Sequence, residues 1–206
     1  MKIEKIIDFQ MDQNCYLVHN ETDGFLIDPG DCADKIIAKI KECNVNVSVV
    51  LLTHCHYDHI IGLRKLKEHY PLEIWCSEEC SENLKSPVTN VSLMFSDSYQ
   101  IPGADRILKD GEVFQLIGED ITCIKTPGHT NGSVCYQIGN SLFTGDTLFL
   151  RTVGRWDLPT GNYQQLEKTL KEKLYLMDDE LKIYSGHGHD TTIGYEKIFN
   201  LSIKGL

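Results

Sequence analysis

The stretch Thr53-His54-Cys55-His56-Tyr57-Asp58-His59 sets three imidazoles and a carboxylate close together in one short run. That is more donors than one metal ion takes from a single loop, and imidazole with carboxylate suits zinc, iron or manganese. Ahead of it, Val47-Ser48-Val49-Val50-Leu51-Leu52 reads as a buried β-strand. Behind it, Ile60, Ile61, Leu63, Leu66 and Tyr70 fall mainly on one face of a helix. The donors therefore sit on a strand-to-helix turn. Residues two apart at a strand end share a side, so His54 and His56 point the same way and Cys55 points away. Asp58 and His59 then open the helix. A solvated polar loop does not require such a composition, and the stretch is read as a metal site.

Outward from this turn, the first third of the chain reads as three strands, Ile3–Phe9, Cys15–His19 and Phe25–Asp28, then a helix near Ala33–Glu42. Asp28-Pro29-Gly30 closes the third strand in a turn. A short strand at Glu73–Cys76 and a helix near Glu78–Leu84 follow the ligand helix. Residues 85–105 show little periodicity, and a loop of that length is usually functional or mobile. Strands resume at Val113–Leu116, Ile121–Thr126, Ser133–Ile138 and Ser141–Thr144. A helix near Tyr163–Tyr175 and a strand at Leu181–Ser185 complete the pattern. Strands followed by helix, given twice, suggest two sheets stacked face to face with helices outside.

The length suits one α/β domain, and the net charge of −10 without a basic cluster argues against a nucleic-acid partner. No apolar run reaches the roughly 20 residues of a membrane span, and Met1-Lys2-Ile3-Glu4-Lys5 lacks a signal-peptide core. The chain is expected in the cytoplasm. Its eight scattered cysteines fit free thiols better than a disulfide framework. His19, His69 and His189 are read as ordinary polar residues, the last facing water.

Three further apolar strands end in a histidine or an aspartate. Ile121–Thr126 runs into Pro127-Gly128-His129-Thr130, Leu142-Phe143-Thr144 into Gly145-Asp146-Thr147, and Ile183-Tyr184-Ser185 into Gly186-His187-Gly188. Each alone reads as a turn or an exposed loop; together with residues 54–59 they do not. With this set of motifs the sequence resembles the metallo-β-lactamase superfamily, from about Asp8 to Glu196. Within it the chain is most similar to short glyoxalase II-like (hydroxyacylglutathione hydrolase-like) enzymes. Gly154-Arg155-Trp156-Asp157 matches the Gly-Arg-x-Asp element of that branch, and Asn90–Phe95 and Thr191–Glu196 are further local matches.

The resemblance implies an α+β fold, a four-layer αββα sandwich of two mixed β-sheets. It implies one metallo-β-lactamase domain over residues 1–206, without a C-terminal helical glutathione-binding domain. It also implies two divalent metal ions, zinc first, with iron or manganese as alternatives. His54, His56 and His129 would hold one ion, Asp58, His59 and His187 the other, and Asp146 would bridge them. Asp28 and Thr53 would orient ligands, although Asp28 also fits a mere turn. The implied reaction is hydrolysis of an S-acyl thiol by a hydroxide held between the ions, with Asp58 orienting that nucleophile. Arg155 could meet a substrate carboxylate, or pair with Asp157 and brace the loop; Trp156 and Phe149 could wall the pocket, with residues 91–95 adding an apolar side. Alternatives on the same residues are a mononuclear iron persulfide dioxygenase and a lactonase or other ester hydrolase. The expected partner is a small acyl thioester, with the chain a monomer or homodimer.

Overall fold

Cys15 and Leu17 alternate with Tyr16 and Val18 along one strand, and all four are buried. A strand apolar on both faces needs cover on both, and the whole architecture answers that need. The computed structural model describes residues 1–8 and 10–202. Phe9, the last residue of the expected first strand, lies outside the described residues.

The elements run β1 (Lys2–Asp8), β2 (Gln13–His19), β3 (Asp23–Ile27), α1 (Ala33–Cys43), β4 (Asn46–Leu51), α2 (Tyr57–Ile60), α3 (Leu63–His69), β5 (Glu73–Cys76) and α4 (Glu78–Asn83). They continue β6 (Arg106–Ile107), β7 (Val113–Leu116), β8 (Glu119–Lys125), β9 (Val134–Ile138), β10 (Ser141–Gly145), β11 (Leu148–Phe149) and β12 (Thr152–Val153). The chain then passes through α5 (Tyr163–Glu172), β13 (Lys182–Ser185), β14 (Thr191–Thr192) and α6 (Ile193–Phe199). One sheet has the order β1-β2-β3-β4-β5-β6, the other β14-β13-β10-β9-β8-β7. Each mixes antiparallel and parallel pairs.

Three apolar layers hold these sheets. Leu17, Leu26, Val50 and Ile74 face Ile36, Ile40, Leu63 and Leu66 of the helices outside the first sheet. Tyr16, Phe25, Ile27 and Leu51 meet Phe114, Ile121, Tyr136 and Phe143 between the sheets. Cys135, Leu142 and Ile183 pack on Leu166, Leu170 and Ile193 outside the second sheet. Each fully buried side chain of this kind contributes about 1.5–3 kcal/mol. The result is the four-layer αββα sandwich of the metallo-β-lactamase fold.

Several details differ from the pattern reading. The helix after the histidine cluster is two short helices, α2 and α3. Gly62 N–H donates to the Pro29 carbonyl at 3.1 Å, so the Asp28-Pro29-Gly30 turn docks at the break. The helix expected over Tyr163–Tyr175 stops at Glu172 and continues as a 3₁₀ turn, Leu174–Leu176. Residues 85–105 contain a 3₁₀ turn at Ser92–Phe95, bracketed by Val91 and Ser96, both left-handed with φ of 57° and 59°. Two-residue strands such as β6, β11 and β12 are too short for alternation to reveal. Among the described residues no helix is long and apolar enough to cross a membrane.

All eight cysteines are free thiols and seven are buried. Burial pushes the Cys123 and Cys135 thiols from an ordinary 9.0 up to about 12. Between these values the unfolded chain releases protons that the folded chain keeps, so stability is lost as pH rises through that window. Each thiol removes about 1.4 kcal/mol per pH unit at most. The melting temperature in reductant is expected to fall steadily from about pH 9 upward, as calorimetry would register; a flat profile would contradict this assignment.

Candidate metal centre

The donors converge because parallel neighbours end on the same edge of a sheet. β3 and β4 run parallel and deliver Asp28 beside Thr53 and His54. β10 and β13 run parallel and deliver Asp146 beside Gly186 and His187. His129 comes from the turn after β8, and Asp58 and His59 lie in α2. A bridge between Gln13 and His187 and a bond from Asn14 N–H to the Gly186 carbonyl at 2.7 Å join the two sheets at this edge.

All seven residues named from the sequence meet here. The side-chain donors of His54, His56 and His129 lie within 4.8 Å of one another, as do those of Asp58, His59 and His187. Asp146 stands between the two groups. Its Oδ1 is 3.2 Å from His59 Nε2, and its Oδ2 is 3.6 Å from both His129 Nε2 and His187 Nε2.

Outer contacts decide which ring nitrogen faces inward. His129 Nδ1 donates to the Arg155 carbonyl at 2.7 Å, and His187 Nδ1 to the Asp12 carbonyl at 2.9 Å. His59 Nδ1 donates to Asp28 Oδ2 at 3.0 Å. Asp28 also accepts the backbone N–H and the hydroxyl of Thr53, so the Thr53 oxygen is free to accept from His54 Nδ1 at 3.1 Å. With Nδ1 anchored in four rings, each Nε2 is turned to the centre. Asp28 thus orients two ligand candidates and does more than close a turn. The Asp12 and Arg155 carbonyls were not foreseen, since any residue supplies a carbonyl.

Gly186 sets the tightest approach. A Cβ there would stand 2.2 Å from Asp146 Oδ1 and 2.7 Å from His59 Cε1, so only glycine admits this spacing.

The donor set fits a metal. His54 Nε2 and Asp146 Oδ1 are buried without a hydrogen-bond partner. Such groups cost about 1–3 kcal/mol each unless something satisfies them. His56 Nδ1 and His129 Nε2 face each other at 2.8 Å, closer than two bare lone pairs sit without a proton or cation between them. Burial, reinforced by neighbouring imidazoles, holds His54 well below the ordinary imidazole range and takes His56 down to about 3. These rings are therefore neutral, as metal ligation needs. Burial alone would raise the Asp146 carboxyl, but His59 and His187 outweigh it and hold it well below the carboxylate range.

The centre floors a cavity of about 340 Å³. Val91, Met94, Phe95, Phe149 and Leu158 give it an apolar wall, and Arg155 stands at its side. Trp156 is a correction: it is not part of the wall, because its ring packs on Tyr163 at 4.9 Å between centroids. Arg155 pairs with Asp157 through two bonds of 2.7 and 2.8 Å. His189 is exposed, as expected from the sequence.

A two-sheet sandwich with this histidine and aspartate set invites comparison with known proteins. The profile of the metallo-beta-lactamase superfamily matches residues 9–189. The chain belongs to that superfamily. Hydroxyacylglutathione hydrolase GloC of Haemophilus influenzae is 36% identical over 97% of this chain and 97% of its own. Among solved structures, BLEG-1 B3 metallo-beta-lactamase superposes with a TM-score of 0.92 at 27% identity, over 99% of this chain and 100% of the other. The di-iron-bound form of TTHA1623 gives a TM-score of 0.84 at 30% identity, over 96% and 98%. Within the metallo-beta-lactamase superfamily, this chain is a hydrolytic metalloenzyme of the glyoxalase II-like kind.

Proposed function

We propose that the protein hydrolyses S-acyl thiols at a dinuclear centre, with His54, His56 and His129 holding one divalent ion and Asp58, His59 and His187 the other. Asp146 lies between the two donor groups and would bridge them. The observation that carries this reading is the pair of donor triads about Asp146 on the floor of an apolar-walled cavity. Bound there, the ions would polarise a carbonyl and supply a nucleophile from water near neutral pH.

The chain's own residues do the rest. His187 Nε2 holds Asp58 Oδ2 at 3.2 Å, and this carboxylate faces the cavity, where it can take a proton from the attacking water. Burial alone would raise Asp58, but His59 and His187 keep it below the usual range, so it is ionised and ready to accept. Val91, Met94, Phe95, Phe149 and Leu158 exclude water and receive an apolar arm of the substrate. Among the described residues, apart from the proposed ligands and Arg155, none lining the cavity carries a proton to give a leaving group. A thiol, with a pKa of about 8.5, departs as thiolate without such help, whereas an amine does not. Kinship with the GloC hydrolase supports the same substrate class.

The deciding experiment measures metal content per chain of protein purified without added metal, together with turnover of S-lactoylglutathione, a lactone, a β-lactam and a persulfide. Two ions per chain at this centre with thioester turnover is the expected result. One iron per chain, with oxygen consumed on the persulfide and no thioester turnover, overturns the proposal; so does turnover confined to the lactone or the β-lactam.

Arg155 offers a finer test. Its guanidinium is occupied by Asp157, whose carboxyl it holds down at about 2. Asp157→Asn is expected to release Arg155 and lower KM several-fold for a carboxylate-bearing thioester, leaving kcat and the melting temperature unchanged. An unchanged KM would mean that Arg155 only braces the loop.

A further inference from the structure

His19 is 4% exposed, yet its Nε2 has no hydrogen-bond partner. Its Nδ1 lies 2.6 Å from the Asn20 carbonyl, so Nδ1 carries the proton and donates it. A bare lone pair on a buried nitrogen is then left over, at a cost of about 1–3 kcal/mol if nothing meets it. What it faces is the Glu4 carboxylate, 3.9 Å away, and the Cys43 thiol; one donor atom from each of the three lies within 4.8 Å of the others.

The fold assembles this group. Glu4 pairs with Leu17 across β1 and β2, and His19, two residues on, is its diagonal neighbour on the same face. That face carries Ile6, Cys15 and Leu17 and is covered by α1. Cys43 is the last residue of α1, so the partially negative end of the helix adjoins the group, which favours a cation. On β3, Gly24 stands opposite His19; a Cβ there would lie 3.0 Å from the His19 Cβ. The group shares no residue with the centre described above. Gln13, bridged to His187, marks the other end of β2, roughly 20 Å away at the rise of an extended strand.

We infer that His19 Nε2, Cys43 Sγ and a Glu4 carboxylate oxygen form a separate site for a zinc-class divalent cation. One imidazole, one thiolate and one carboxylate are each zinc ligands, and a thiolate with an imidazole selects zinc over magnesium or calcium. Tetrahedral zinc spaces its donors about 3.3–3.8 Å apart, so Glu4 and His19 need only a small closure. The Asn20 carbonyl already fixes the ring orientation, as outer partners of metal-bound histidines do. Binding forms the sulfur–zinc bond and releases the thiol proton to solvent. Burial, then Glu4, holds that thiol above its ordinary value, while Lys39 and Lys2 act against them; Lys39 is itself tied to Glu42 at 2.8 Å. An ion here would tie the edge strand β1 to the end of α1.

Cobalt(II) loaded into the full chain tests this. None of the residues proposed for the dinuclear centre is a cysteine, so a thiolate-to-cobalt charge-transfer band in the near ultraviolet reports on Cys43. The wild type is expected to show that band. Cys43→Ser is expected to lose it together with one ion per chain, with hydrolysis within twofold of wild type and the visible cobalt spectrum of the dinuclear centre retained. Glu4→Gln, a milder change, is expected to keep the band but require more cobalt to saturate it. Cys43 is also the one thiol that is not buried, so zinc is expected to protect the native protein from iodoacetamide. Absence of the band in wild type, or its survival in Cys43→Ser, overturns the site.

Discussion

Asp146→Asn is expected to lower kcat/KM for the thioester by about a thousandfold or more, equivalent to about 4 kcal/mol of transition-state stabilisation. The side chain is flanked by imidazoles: His59 at 3.2 Å on one oxygen, His129 and His187 at 3.6 Å on the other. Its negative charge counts for both donor groups at once. Asparagine keeps the shape and removes the charge. Metal content at this centre is therefore expected to fall with activity, to one ion per chain or fewer. A variant that keeps both ions and stays within tenfold of wild type would remove Asp146 from the role proposed for it.

The second large effect comes from a residue with no side chain. Gly186→Ala places a methyl group 2.2 Å from Asp146 Oδ1. Relaxation is blocked on both sides, because Gly186 N–H donates to the Gly145 carbonyl at 2.9 Å and its carbonyl accepts from Asn14 N–H at 2.7 Å. Overpacking of this kind costs about 1–3 kcal/mol, which in a chain of this size lowers the melting temperature by about 2–4 °C per kcal/mol. Activity is expected to fall further than stability, since displacing a catalytic group by about 1 Å costs about a hundredfold. Thermal melting and kcat/KM measured side by side check this. Equal small losses in both would show that the backbone yields without moving the aspartate.

Much of this site was legible because chemistry and period coincide. His54, His56, His129, Asp146 and His187 each follow an apolar strand, so the hydrophobic pattern that locates the strand also locates the donor. Two stacked sheets with helices outside followed from the order of the elements, strands then helix given twice, and the four-layer αββα sandwich from the family resemblance. What was not legible lacks a side-chain signature. The carbonyls of Asp12 and Arg155 that anchor His187 and His129 can come from any residue. The 3₁₀ turn carrying Met94 and Phe95 to the cavity depends on left-handed backbone at Val91 and Ser96, which a β-branched residue and a serine do not advertise. Trp156 was misplaced for a related reason. Its position beside Arg155 suggested the pocket, but the turn after β12 sends its ring to Tyr163 instead. His19 was passed over as an ordinary polar residue, because its neighbours Glu4 and Cys43 come from distant parts of the chain.

The seam between the sheets carries a further consequence. His59 and His187 touch across it at 3.3 Å although 128 residues separate them along the chain. An ion gripped from both banks would act as a covalent staple does, closing a loop of that length. By the chain-entropy account of such staples, closure removes about 4–5 kcal/mol of freedom from the unfolded chain. Chelation would then do more than silence the enzyme: it would lower the free energy of unfolding by a similar amount.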